Sequence, residues 1–347
     1  MSKSDRIPRD KNNDHTREMA SQRGAFIEAM TGAKLDTVAS YTIDPAVTNG
    51  NIENFIGTAQ VPIGIAGPLL MAGEHAQGNF YIPMATTEGT LVASYSRGMR
   101  VISECGGAKT TVVKQSMQRA PVFLFNNALE AREFGQWLDE HIDAIRGVVK
   151  ASVDVPRLIE IEKYIVAKML YTRFCYTTGD AAGQNMTGKA TLYACEWIRA
   201  HHPAKPRYIL SGNIDTDKKH SSMNMIQTRG KRVVAEFVLK KEVAKELLRI
   251  EPEWLYRFRQ IAGIGTHLSG AVYSGAHSAN GIAAMFIATG QDAANVSESH
   301  AGMTYFELLD NGDLYSSVTL PALICATYGG GTGLQTQREC LEMMDCY

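Results

Sequence analysis

Apolar and polar positions follow two periods along this chain. Short apolar-rich runs bounded by Gly, Pro, Asn or Asp predict strands over Gly78–Met84, Lys109–Gln118, Leu158–Ala167, Lys168–Thr177, Tyr208–Leu210, Gly230–Leu239, Gly302–Leu309 and Leu314–Pro321. Helical spacing predicts an amphipathic helix over Ala128–Ile145, and further helices over Gly24–Met30, Thr187–His201 and Lys240–Ile250. Met1 to about Ser21 is polar and charged and reads as a loose arm. Gly265–Asp292 differs from all of these: its residues are mostly small or apolar, with no charge before Asp292. It reads as one buried central helix of about 22–24 residues ending at Gly290, whose small side chains let other elements approach closely. A membrane span is excluded, because His267, His277, Asn280 and several serines interrupt the apolar runs.

The strand–helix–strand–strand–helix–strand order within Val122–Ile209 has the form of a split βαβ module. The expected organisation is α+β. It has an arm over 1–50, a large domain over 51–121 and 210–347, and a small domain over 122–209 inserted into it.

Composition narrows the function. The chain has 347 residues, 45% hydrophobic and 20% charged, with a formal net charge of -1, so nothing in the bulk charge points to nucleic acid. The cysteines at 105, 175, 195, 325, 340 and 346 form no C-x-x-C pair, which removes zinc-knuckle and thioredoxin readings; no metal is expected. Scattered thiols and a polar N-terminus without an apolar signal core make cytoplasm the expected location.

Four polar places stand out. Glu88 lies where a strand gives way to a helix, and Lys218 and Lys219 share a turn with Asp215 and Asp217. Asp292 follows the central helix, and Asp180 and Asn185 flank a glycine turn. Acid, lysine and second acid can form a network that polarises a carbonyl and delivers a proton, although the same residues also fit ordinary surface ion pairs. The loop over 48–68, dense in Gly and Pro, is expected to touch a ligand or a partner subunit.

ENFIGTAQVPIGIAGPL (53–69), MATTEG (84–89), GDAAGQNM (179–186), SGNIDTDKK (211–219), GQDAA (290–294) and TYGGGTG (327–333) occur in this order. Together they resemble the hydroxymethylglutaryl-CoA reductases, in the form shared by eukaryotes and archaea, from about residue 50 onward. The resemblance implies a large acyl-CoA-binding domain with a long central helix and an inserted ferredoxin-like domain that holds NAD(P). It implies reduction of a thioester to an alcohol with two NADPH, through a hemithioacetal and an aldehyde. Carried onto this chain, Glu88 is the general acid, Lys218 the oxyanion stabiliser and Asp292 the residue that orients both. Arg119, Ser211, Asp217 and Lys219 hold the acid end of the substrate. Asp180, Gly183, Gln184, Asn185 and Met186, with Gly330 and Gly331 of the glycine loop, meet the dinucleotide. The implied assembly is a homodimer or larger even oligomer with the active site at the subunit interface.

Three departures qualify the resemblance. The family's catalytic histidine lies on a helical segment beyond the glycine loop. None of the nine histidines here matches it, and the expectation is that more chain follows Tyr347, which interrupts a helix with Leu341, Met343 and Met344 exposed. Where NADPH users carry Ser-Arg this chain has Tyr176 and Thr177, so the 2′-phosphate loses a guanidinium; Arg173 is nearby, NADPH stays ahead and NADH becomes possible. Gly275 stands where the family has an asparagine, which leaves a wider pocket or a water. These departures keep two alternatives open: a reductase repurposed for another thioester or aldehyde, and a non-catalytic CoA-ester-binding homologue. His277 reads as a core histidine.

Overall fold

The computed structural model describes residues 6–271 and 277–347. The first described element is α1 (Arg17–Thr31), whose N-cap Thr16 accepts the Met19 amide. The expected loose arm is tied down over its described part. Arg23, 1% exposed, donates to the carbonyls of Pro8, Asp14 and Phe55 and pairs with the Asp14 carboxylate. A buried guanidinium needs several acceptors, and the arm folds around α1 to supply them.

A hairpin of β1 (Ile63–Ala72) and β2 (Gln77–Ala85) follows, with α2 (Leu91–Glu104) packed on it. The chain continues as β3 (Lys109–Arg119), β4 (Val122–Leu124), α3 (Ala128–Glu140), α4 (Ile142–Ser152), β5 (Arg157–Val166) and β6 (Met169–Thr177). Next come α5 (Gln184–His201), β7 (Arg207–Ile209), α6 (Ser222–Gln227) and β8 (Gly230–Leu239). The short α7 (Lys241–Val243) runs into a π turn, Ala244–Leu248, where a longer helix was expected. The last elements are α8 (Pro252–Leu268), α9 (Ser278–Ala288), α10 (Val296–Ser299), β9 (Met303–Leu308), β10 (Leu314–Leu323) and α11 (Gln335–Glu342).

Apart from the β1–β2 hairpin, the strands form one sheet in the order β7-β4-β6-β3-β8-β10-β9, with β5 added on β6. The portion β7-β4-β6-β5 is antiparallel throughout, as a split βαβ module requires. Its core is aromatic and aliphatic: Phe123, Phe134, Leu138, Ile145, Phe174 and Ile198 are buried together under α3, α4 and α5. β3 joins this portion to the rest, pairing with β8 along Lys109–Ser116 and with β6 along Met117–Arg119. The mixed α/β architecture with a long helix and an inserted β-subdomain is therefore present.

Several boundaries differ from the sequence reading: β1 begins at Ile63, inside the stretch 48–68 read as a loop. The helix expected over 128–145 breaks at His141, which ends α3 and begins α4. The expected single central helix is two. The long one, α8, starts upstream at Pro252, whose fixed φ suits a first helical turn. It stops at Ser269, before Gly270 turns left-handed at φ +74°. α9 resumes after His277, itself left-handed and exposed rather than in the core. The small residues of α9 act as expected: a Cβ on Gly281 would lie 2.2 Å from the Tyr95 hydroxyl, so only glycine lets α2 approach this closely. At the other end α11 stops at Glu342, and Leu341 and Met344 are buried, leaving Met343 exposed. Among the described residues, no helix is long and apolar enough to cross a membrane.

Candidate functional site

A cleft of about 740 Å³ runs between the start of α5, the end of α9 and the loop before α11. The α5 wall follows from Gly183. This residue is left-handed at φ +89°, and a Cβ on it would collide with Thr178 at 2.2 Å. The turn therefore closes tightly and α5 starts at Gln184, earlier than the predicted Thr187. The helix itself offers no acceptor for its first amides, which leaves those of Gln184, Asn185 and Met186 at the cleft. The opposite wall is the loop Gly329–Gly333. Gly290 and Gly331 touch backbone to backbone, each leaving no room for a Cβ on the other: a Cβ on Gly290 would lie 2.2 Å from the Gly331 oxygen, and one on Gly331 2.5 Å from the Gly290 oxygen.

Asp292 lies on this cleft, one residue past the turn that follows α9. Its Oδ2 is 2.7 Å from Lys218 Nζ, and its Oδ1 accepts the Ala294 amide. The hydrogen bond to Asp292 pushes the Lys218 ammonium above the usual lysine range, against a partial opposing effect of burial. Lys218 belongs to a loop between β7 and α6 in which Asn213, Thr216 and Lys218 all have positive φ. Left-handed non-glycine residues cost on the order of 1–2 kcal/mol each, so neighbours must hold this loop.

Those neighbours are buried and polar. Glu298, fully buried on α10, accepts the Lys218 amide at 3.1 Å through Oε1. Its Oε2 accepts from Asn224 Nδ2 at 3.3 Å and lies 3.1 Å from Arg229 Nε. Arg229, 2% exposed, also donates to Asp217 Oδ1 at 2.6 Å and to the Gln118 carbonyl at 3.0 Å. Gln184 donates to Asp217 at 2.9 Å and to Asn295 at 3.1 Å, which ties α5 to the lysine loop. Burial pushes the Asp217 carboxyl up, but Arg229 and Gln184 together outweigh it and hold it below the usual range. For Glu298 burial wins over Arg229 and raises the carboxyl to about 7.

The predicted residues separate as follows. Lys218 and Asp292 meet. Glu88 does not join them through any direct contact: it accepts from Asn280 Nδ2 at 3.0 Å, at the start of α9. Asn280 and Ala288 are about 12 Å apart along that helix, and Asp292 lies beyond its far end. Arg119 is 3.7 Å from Asp215, which also accepts from Ser211 at 2.9 Å. Lys219 donates to the carbonyl of Asp217, two residues before it. The Asp217 carboxylate is engaged by Arg229 and Gln184 rather than left open. Gly183, Gln184, Asn185, Met186, Gly330 and Gly331 all line the cleft. Asp180 is exposed beside it, its carbonyl accepting from Thr327.

Two expectations at the end of β6 are corrected. Tyr176 is fully buried in the small-domain core, with its hydroxyl 2.7 Å from Thr191, so it cannot face a ligand. Arg173 is fully buried against Glu162 at 2.7 Å and cannot replace the absent guanidinium. Thr177 alone is exposed there. Gly275 lies outside the described residues. The tightest group of possible metal donors among them is Glu160, Glu162 and Cys175, far from ideal because Arg173 already neutralises Glu162 and burial pushes the Cys175 thiol up to about 12.

The sequence reading missed Arg229, Glu298, Asn224, Asn295 and Asn280. An arginine just before an apolar strand was the available signal for Arg229; Glu298, inside NVSESH, offered none.

The family model for hydroxymethylglutaryl-coenzyme A reductase matches residues 19–347. The chain is 44% identical over 334 residues to the 3-hydroxy-3-methylglutaryl-coenzyme A reductase of Aeropyrum pernix, covering 94% of this chain and 78% of the relative. It is 43% identical to the same-named protein of Methanothermobacter thermautotrophicus, covering 93% and 81%. Among solved structures, the class II 3-hydroxy-3-methylglutaryl-CoA reductase of Streptococcus pneumoniae, bound to NADPH in open conformations, superposes with a TM-score of 0.69 at 19% identity. It covers 86% of this chain and 82% of the other, and the likeness concerns the fold.

Proposed function

The chain belongs to the hydroxymethylglutaryl-coenzyme A reductase family, and from that membership we infer that it reduces hydroxymethylglutaryl-CoA to mevalonate and CoA. The overall change is a four-electron reduction. One thioester, two NADPH and two protons give the alcohol, free CoA and two NADP+, through a hemithioacetal and an aldehyde. The observation that carries the site assignment is the Lys218–Asp292 pair on the rim of a cleft walled by a helix N-terminus and a glycine loop.

The residues present fit a dinucleotide. Open amides at the start of α5 suit its phosphates, and the glycine loop lets backbone approach the ring end. Gly183, Gln184, Asn185, Met186, Gly330 and Gly331 would hold it, and the bound reduced nicotinamide supplies hydride. Lys218 places its ammonium where the thioester oxygen gains negative charge. Asp292 keeps that ammonium charged and aimed. Glu88 supplies the proton to the same oxygen. Arg119, with Ser211 and Lys219 nearby, neutralises the free carboxylate of the acyl group, while Asp217 acts indirectly by anchoring Arg229 and Gln184. NADPH is the proposed reductant, with weak discrimination against NADH because Arg173 is buried.

Assembly and location extend the same proposal. Glu88 and Lys218 sit at opposite ends of α9, which favours a homodimer in which one subunit brings Glu88 to the other's Lys218. An exposed apolar stripe on α8, Trp254, Phe258, Ile261 and Leu268, favours association as well. The six free cysteines fit a cytoplasmic protein.

The test is mevalonate formation with the nicotinamide oxidised in parallel. Two NADPH consumed per mevalonate is the expected result; absence of mevalonate with either nicotinamide overturns the reading.

A further inference from the structure

Glu298 is a buried acid that the reaction as described does not use. It touches the lysine loop directly once and two flanking residues besides. Oε1 receives the Lys218 amide, Oε2 receives Asn224 Nδ2, and Arg229 Nε lies 3.1 Å from Oε2. Asn224 in turn donates to the Lys219 carbonyl and accepts from the Thr216 hydroxyl. The carboxylate therefore reaches both sides of Lys218, a residue with φ +56°. A left-handed lysine returns to the extended or right-handed region unless its amide is held. That change would swing its side chain away from Asp292.

We propose that Glu298 is a positioning residue for the reduction: by gripping the Lys218 amide and pairing with Arg229, it holds Lys218 in the left-handed conformation from which its ammonium reaches Asp292. This rests on the function inferred above. The ionised carboxylate is the working form, since only that form accepts from Lys218 and Asn224 while neutralising Arg229. The charged and titratable groups around it are Arg229, Asp217 and Lys218, with the His220–His300 pair, ring centroids 6.5 Å apart, next along the same two segments. Because burial raises this acid to about 7, the working form fills in as the pH rises through neutrality.

Two variants test this. Glu298→Asp keeps the charge for Arg229, so the fold is retained, but it draws the acceptor back from the Lys218 amide by one methylene. Glu298→Gln keeps the shape and removes the titration. In the parent enzyme kcat should fall on the acid side with an ionisation near 7. Glu298→Asp should lower kcat about ten- to a hundredfold, with the KM for hydroxymethylglutaryl-CoA changed less than about twofold, as expected for a misplaced catalytic group. Glu298→Gln should lose the acid limb near 7. Parent-like kcat in the Asp variant, or a reduced kcat in both variants with the acid limb unmoved, would overturn the proposal and leave Glu298 a structural acid. An inactive parent enzyme would instead strike at the inferred reaction itself.

Discussion

Lys218 Nζ lies 2.7 Å from Asp292 Oδ2, with 43% and 41% of the two side chains exposed. In this open geometry water screens the pair, and it adds little to stability. Under the proposed function its value is chemical: the ammonium is held where substrate would exclude water and strengthen every charge interaction. Replacing Lys218 by alanine should lower kcat on the order of a hundred- to a thousandfold and leave the KM for the dinucleotide unchanged. Asp292 raises the lysine, so the ammonium persists further into the basic range than an ordinary lysine's. Asp292→Asn removes that effect, and the basic limb of the kcat profile should move to lower pH. A pH–rate series on the two proteins checks it; an unmoved basic limb would separate Asp292 from the lysine.

Glu298 has a consequence for stability that is separate from its grip on the loop. Its folded carboxyl is raised from 4.5 to about 7, so the folded protein holds a proton that the unfolded chain releases earlier. The associated stability is complete below about 4.5 and is lost as the pH rises to about 7, up to roughly 3 kcal/mol. Asp217, shifted the other way, acts only below its ordinary 3.8 and lies outside this window. His202 and His220, lowered by burial, oppose Glu298 below about 6.5. The comparison of parent with Glu298→Gln cancels their part. Between pH 5 and 8 the urea midpoint of the parent should fall relative to that of the variant; parallel curves would show an unshifted acid.

The glycine loop and the end of α9 meet at Gly290 and Gly331, where no side chain fits. Gly331→Ala would bring a Cβ to 2.5 Å from the Gly290 oxygen, a backbone atom that cannot swing aside. The loop must move by an ångström or so, at a strain of about 1–3 kcal/mol. If this loop meets the dinucleotide, its KM should rise about tenfold in the alanine variant while that for the acyl-CoA stays put. Equal changes in both would place the loop's effect elsewhere.

The sequence disclosed the strands more faithfully than the helices, for physical reasons. Strands such as β8 and β10 are short apolar runs with turn residues at both ends, and their limits fall where the turns are. The Gly265–Asp292 stretch misled because lack of charge was taken as the limit of one helix. The helix start is set by Pro252, and its interruption by left-handed Gly270 and His277, none of which alters hydropathy. At the site, Lys218, Asp292 and the α5 turn were legible through their motifs. Their supports were not. Glu298 reaches Lys218 across a long stretch of chain, and a lone glutamate between two serines carries no periodic signal. Tyr176 failed as a ligand contact for a related cause: position in a motif does not say which face of β6 a side chain takes, and this one faces the core.

Burial on both faces of β6 bears on the proposed cofactor choice. With Arg173 buried against Glu162 and Tyr176 in the core, only Thr177 is exposed at the end of β6. A 2′-phosphate finds no guanidinium there, and kcat/KM for NADPH and NADH should agree within about tenfold. Thr177→Arg should restore a preference for NADPH of about tenfold or more, mainly through KM. A parent already strongly selective for NADPH would show that a cation from another segment reads the phosphate.

The separation of Glu88 from Lys218 along α9 gives the sharpest test of the assembly. Glu88 is fixed to Asn280 at the first turn of the helix, and Lys218 to Asp292 beyond its last. If one subunit's Glu88 completes the other's site, each Glu88→Ala or Lys218→Ala homodimer has two dead sites. A mixed dimer has one site with both defects and one with neither. Random assortment of equal amounts then restores about a quarter of parental activity. Refolding or co-expressing the two variants together and measuring mevalonate formation reads this directly. Activity no greater than the sum of the separate variants would mean that both groups act within one chain, and that α9 must bend or shift to bring Glu88 to the lysine.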